Sequence, residues 1–129
     1  MGPQVDWCHE TSLPADPRSP AQARAFVVRY LGDHRLAHLV DPVRLIASEL
    51  STNAVVHART AFSVTLTERD HVVTLIVEDE EPTRGPDLGT PDLLASGGRG
   101  MRIVEQMSDS WGVGIDPRGT KRVWASFAR

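Results

Sequence analysis

Two runs rich in Val, Thr, Ile and Leu, Thr60–Glu68 and His71–Glu78, flank the dipeptide Arg69-Asp70. A connection this short joins strands only as an antiparallel hairpin, so any fold open to the chain contains these two strands side by side. The turn lacks the favoured Asn-Gly or Asp-Gly pair. Upstream the period changes from two to that of a helix. Ser19-Pro20 offers an N-cap and a proline at the first helical position, and Ala23, Phe26, Val27, Tyr30 and Leu31 follow at helical spacing, with Gly32 as the expected stop. Asp41-Pro42 repeats the start signal. The segment Val43–Ala58 then reads as a second helix that turns Ile46, Ala47, Leu50 and Ala54 toward a core.

The first twenty residues hold four prolines, so residues 1–12 read as an extended arm with a disordered tip, its strand candidate Trp7–Leu13 lying at a sheet edge. Residues 13–129 form one domain, as the length suggests. Pro82–Gly98 is rich in Pro, Gly, Asp and Thr and reads as a long loop or lid. Gly97-Gly98-Arg99-Gly100 opens a third helix carrying Met101, Ile103, Val104 and Met107, and Trp111–Ile115 with Lys121–Phe127 forms a closing hairpin across Asp116-Pro117-Arg118-Gly119. The order is strand, helix, helix, strand, strand, lid, helix, strand, strand. That grouping predicts an α+β two-layer sandwich with a mixed, mostly antiparallel sheet and helices on one face, and it lacks the alternation of a doubly wound fold.

Composition excludes several functions. Fourteen Lys and Arg against seventeen Asp and Glu leave a formal charge of -3, the wrong sign for gripping a phosphate backbone, so no direct nucleic-acid role is expected. A single cysteine, Cys8, allows neither an intrachain disulfide nor a cysteine-rich zinc site and suits a reducing compartment. With no apolar run near the roughly 18 residues of a membrane span, the expected location is the cytoplasm.

Glu49, Asn53 and His57 stand at i, i+4 and i+8 on a helix that otherwise reads as buried, and they share one stripe. A carboxylate beside a carboxamide oxygen suits a hard cation such as Mg²⁺; a solvated polar face gives the same periodicity. Glycines at a helix start, as in Gly98-Arg99-Gly100, let an anion approach free N–H groups, and they also make ordinary turns. The absent Gly-Lys-Ser/Thr ending excludes a P-loop. Asp79 at a strand end could accept a hydrogen bond from an exocyclic amine or stand solvated. Gly119-Thr120-Lys121 could offer a hydroxyl and a cation or form a plain hairpin turn. His34 and His38 have metal-pair spacing without a third ligand and read as solvated, and Cys8 reads as a quiet edge-strand thiol.

Taken in chain order, Glu49-x-x-x-Asn53-Ala54-x-x-His57-Ala58, Asp79, Gly98-Arg99-Gly100-Met101-x-Ile103-Val104, Trp111-Gly112 and Gly119-Thr120-Lys121 resemble the N-box and glycine boxes of the GHKL (histidine-kinase-like) ATPase superfamily. Leu13-Pro14-Ala15-Asp16-Pro17, followed by an Ala-Arg-rich first helix, is similar to compact actinobacterial anti-sigma factor serine/threonine-protein kinases, over about residues 12 to 128. The resemblance implies a Bergerat-type ATP-binding sandwich in which Asn53 coordinates Mg²⁺ and Glu49 serves as general base or water-positioning group. It further implies that Asp79 binds the adenine amino group, Thr120 completes that contact, and Gly98, Arg99, Gly100 and Met101 line the nucleotide. Residues 83–97 would be the lid, and His57 would shape the site. The implied partners are a STAS-domain anti-anti-sigma protein, a sigma factor, and a second copy in a homodimer. One departure stands out: the usual Asp-x-Gly box reads Asp79-Glu80-Glu81 here. An inward carboxylate about 4 Å from a phosphate oxygen would cost roughly 4 kcal/mol at an effective dielectric of 20, which leaves a contact-only regulator as the alternative.

Overall fold

A computed structural model of the chain describes residues 5–79, 98–115, 117 and 119–129. Five strands, β1 (Val5–Leu13), β2 (Phe62–Arg69), β3 (Val72–Asp79), β4 (Ser110–Ile115) and β5 (Lys121–Ala128), form one sheet in the order β1-β2-β3-β5-β4. All four pairings are antiparallel. Three helices, α1 (Ser19–Asp33), α2 (Val40–Asn53) and α3 (Gly98–Met107), complete an α+β two-layer sandwich. The expected lid, residues Glu80 and Glu81, and the tip of the arm lie outside the described residues.

Side-chain alternation explains the layering. Phe62, Val64 and Leu66 on β2, Val73, Leu75 and Val77 on β3, and Val123, Ala125 and Phe127 on β5 are all buried on one face. From the helices Ala23, Val27, Leu31, Val43, Ile46, Ala47, Leu50, Met101 and Val104 fill the space opposite them. These inward rows end in charged residues. Glu68 closes β2, where it accepts from Trp7 Nε1 at 2.8 Å and from Arg129 at 2.7 and 2.9 Å. At the other end of the sheet, Asp79 closes β3 and Lys121 opens β5, both buried.

Several boundaries differ from the sequence reading. The hairpin turn is Asp70-His71, one residue later than expected, because Arg69 still pairs with Val72. Both turn residues take positive φ, 51° and 68°, the left-handed pair that matches strand twist without a glycine. Ser19 is not an N-cap: it lies within α1, and its hydroxyl donates to the Pro14 carbonyl at 2.7 Å. Asp16 takes the local role instead, accepting from the Arg18 N–H at 2.7 Å, and the Arg18 guanidinium and N–H hold its carboxyl below the usual carboxylate range.

Gly32 does not stop α1. The helix runs on to Asp33 and closes through Arg35 at φ 61°, with the Arg35 N–H donating to Gly32 O at 3.1 Å and the Leu36 N–H to Leu31 O at 2.7 Å. That is a Schellman motif, and buried Leu31 and Leu36 supply its apolar contact. The second helix starts earlier, at Val40, and is α-helical only to Asn53. A π turn, Ala54–Ala58, follows, with the Arg59 N–H reaching Ala54 O at 2.9 Å and Arg59 itself left-handed at φ 59°.

Two substitutions test this account. Arg35→Gly relieves a left-handed non-glycine residue and is expected to stabilise by up to about 1 kcal/mol in urea unfolding. Gly112 lies opposite Trp124, and a Cβ there would sit 2.5 Å from the indole Cζ2. Gly112→Ala is therefore expected to cost about 1–3 kcal/mol and to shift tryptophan fluorescence, since the indole must leave its place.

Candidate functional site

A cavity of about 20 Å³ lies between α2 and the centre of the sheet, lined by Leu50, Asn53, Ala54, Val77, Asp79, Lys121 and Val123. Each wall follows from local structure. Asn53 is the last residue of α2 before the π turn, an element found frequently at functional sites. Asp79 reaches the cavity because it continues the inward row of Val73, Leu75 and Val77, and it is only 4% exposed. Lys121 does the same on β5 at the head of Val123, Ala125 and Phe127, and is 8% exposed. Four aliphatic side chains thus surround a carboxylate, an ammonium and a carboxamide.

This brings together Asn53 and Asp79, which stand 26 positions apart in the chain. Glu49 is half-buried one α-helical turn before Asn53 and outside the cavity lining. His57 is half-buried in the π turn, so the wider winding moves it off the position a continuous α-helix would give it. Thr120 is half-buried immediately before β5. Met101 is a core residue at 5% exposure. Gly98, Arg99 and Gly100 form the first turn of α3, whose opening N–H groups have no intrahelical acceptors; their side-chain surroundings lie outside the description.

Lys121 is the residue that the motif reading passed over as a turn cation. Its signal was present: it alternates with Val123, Ala125 and Phe127, which directs it inward. The prediction for His34 is corrected. It is half-buried, its Nε2 lies 2.9 Å from His9 Nε2, and its ring stacks on Trp7 at 3.9 Å, so it is not a solvated side chain. His38 is exposed, and among the described residues no group of three His, Cys, Asp or Glu could hold a metal ion. Cys8 is an exposed free thiol on the edge strand β1. No helix among the described residues is long and apolar enough to cross a membrane.

Comparison with known families matches residues 13–126 to the histidine kinase-like ATPase domain. The chain belongs to this family, and it carries an ATPase-fold domain of the ATP-binding, GHKL-type superfamily. No curated protein matches it.

The donor set fits a nucleotide. A carboxylate among aliphatic walls accepts from an exocyclic amine while the walls cover the faces of a flat ring, and a carboxamide with a nearby ammonium suits oxygen and phosphate groups. The cavity is partly open, and Ala54 forms one of its walls. Ala54→Leu pushes a larger side chain into that gap and keeps every polar group. It is expected to weaken ATP binding at least about tenfold at a stability cost of about 1–3 kcal/mol. Titration calorimetry with circular dichroism checks this, and unchanged affinity would place nucleotide entry elsewhere.

Proposed function

We propose that the protein is an ATP- and Mg²⁺-dependent anti-sigma regulatory factor that acts as a serine/threonine-protein kinase on a STAS-domain anti-anti-sigma protein. The observation that carries this reading is the convergence of Asn53 and Asp79 on one cavity within a chain of the histidine kinase-like ATPase family. In this reading Asp79 accepts from the adenine amine and Thr120 completes the contact. Asn53 offers its carboxamide oxygen to Mg²⁺, while Lys121 and the opening backbone N–H groups of α3, Gly98 to Gly100, face the phosphates, with Met101 anchoring that turn in the core. Bound ATP would supply its γ-phosphoryl group to a serine or threonine hydroxyl, the β–γ phosphoanhydride bond breaking and ADP leaving. Glu49, one turn from Asn53, accepts the proton of that hydroxyl, the task of a positioned general base. His57 shapes the helix end next to Asn53. A sigma factor is the proposed second partner, and a second copy of the chain the proposed dimer mate.

The sequence favours a second reading, in which the same fold regulates a sigma factor or STAS protein by contact alone: Asp79-Glu80-Glu81 carries an acidic residue at the sequence position of the box's glycine.

One set of titrations separates the two. Under the kinase reading, wild-type protein binds ATP with Mg²⁺-dependent affinity, folded Asn53→Ala loses the Mg²⁺ dependence, and Glu49→Gln keeps binding while phosphate transfer to a co-encoded STAS protein falls about 10²–10⁴-fold. Absence of ATP binding by folded wild-type protein would leave the contact-only regulator. ATP binding without transfer to any STAS partner would remove the kinase half alone.

A further inference from the structure

The inward face of β1 meets the C-terminal end of α1 through rings rather than aliphatic side chains. His9 stacks on Tyr30 at 3.8 Å and 12°, His34 stacks on Trp7 at 3.9 Å and 5°, and the two imidazoles meet at 2.9 Å through Nε2. Trp7 is tied down in turn by Glu68, which Arg129 also holds. His34 is placed by the Schellman motif that ends α1, so its position follows from helix termination and not from a flexible loop. β1 is an edge strand whose one neighbour in the described sheet is β2. Its grip on the helix layer therefore runs largely through this cluster and Leu13.

We infer that His9 and His34 form a proton-gated clasp that holds the edge strand β1 against the end of α1. A nitrogen-to-nitrogen hydrogen bond needs one proton between two imidazoles, one ring donating and the other accepting. Protonating both rings leaves two donors and two positive charges at 2.9 Å, which breaks the bond and adds repulsion. The groups around the pair do not cancel that charge. From α1, Asp33 favours a charged His9 and Arg29 opposes it. Around His34 the recess shared with Trp7 is bordered by Asp6, Glu68, His71 and Arg129, and Glu68 is already engaged by Arg129.

The sign of the pH dependence follows. Burial first, and then the neighbouring His34, hold the His9 pKa below its ordinary value. The unfolded strand thus takes up its proton before the folded one, so the clasp contributes in full above the ordinary imidazole range near about 6.5 and weakens as pH falls below it. The nucleotide cavity is remote from this event. Trp7 pairs with Glu68, and Glu68 with Val73, six residues along β3 from Asp79 and on the order of 20 Å away.

Amide hydrogen exchange on the full chain tests the clasp, comparing β1 with the other edge strand, β4, at about pH 7.5 and about pH 5.5 after correction for intrinsic rates. In the wild type, β1 protection is expected to fall roughly three- to tenfold relative to β4 on acidification, with ATP affinity changing no more than that of the variants. His9→Phe keeps a ring against Tyr30 but cannot titrate, and its β1 protection is expected to stay level with β4. His34→Gln still donates to His9 and gives a second readout should His9→Phe fail to fold. Parallel loss in β1 and β4 of the wild type, or a β1-specific loss that persists in a folded variant, would overturn the clasp.

Discussion

The candidate site depends on the register between β3 and β5. Glu78 pairs with Arg122 at the end of that ladder, so Asp79 and Lys121 leave the paired region together and on the same face. Side chains alternate with a period of two, and a slip of one residue by either strand would send that strand's ionisable group to the outer face and turn its valine, Val77 or Val123, out of the core. Burial of Val73, Leu75, Val77, Val123, Ala125 and Phe127 therefore specifies the register, and the register carries two ionisable groups into the cavity. The apolar core sets the position of the polar chemistry, at the cost of desolvating both groups.

The helix ends do comparable positional work. Arg35 and Arg59 both take left-handed φ without being glycine, a conformation costing on the order of 1–2 kcal/mol. Each follows a residue that matters: the Arg35 turn aims His34 at His9, and the π turn capped by Arg59 sits directly after Asn53. Ser51, fully buried, has no hydrogen-bond partner for its hydroxyl among the described residues and lies two residues before Asn53.

The layers were legible because burial on a sheet and on a helix leaves periodic traces. Val64, Leu66, Leu75 and Val77 announced their strands, and Ala23, Val27 and Leu31 their helix. Asn53 and Asp79 were legible as motif residues, and their meeting in one cavity is the three-dimensional content the motif lacked. The π turn was not legible, because Ala54–Ala58 suits an α-helix equally well and the wider hydrogen bond is set by how the helix must end. Gly32 misled because glycine permits a stop without compelling one, while Leu36 packing beneath Leu31 chose the site of termination. His34 misled for a different reason: it caps α1 while its partners Trp7 and His9 lie on β1, and no local pattern records a contact such as that with His9, 25 residues away.

The cavity's walls bear on affinity through the apolar area they offer to a ring. Covering on the order of 100 Å² of Leu50, Ala54, Val77 and Val123 contributes about 2.5 kcal/mol at about 25 cal/mol per Å². In the proposed reading the polar term at Asp79 is an exchange of partners, so a nucleotide amine there adds only the difference between two hydrogen bonds to a charged acceptor, each worth about 1.5–3 kcal/mol.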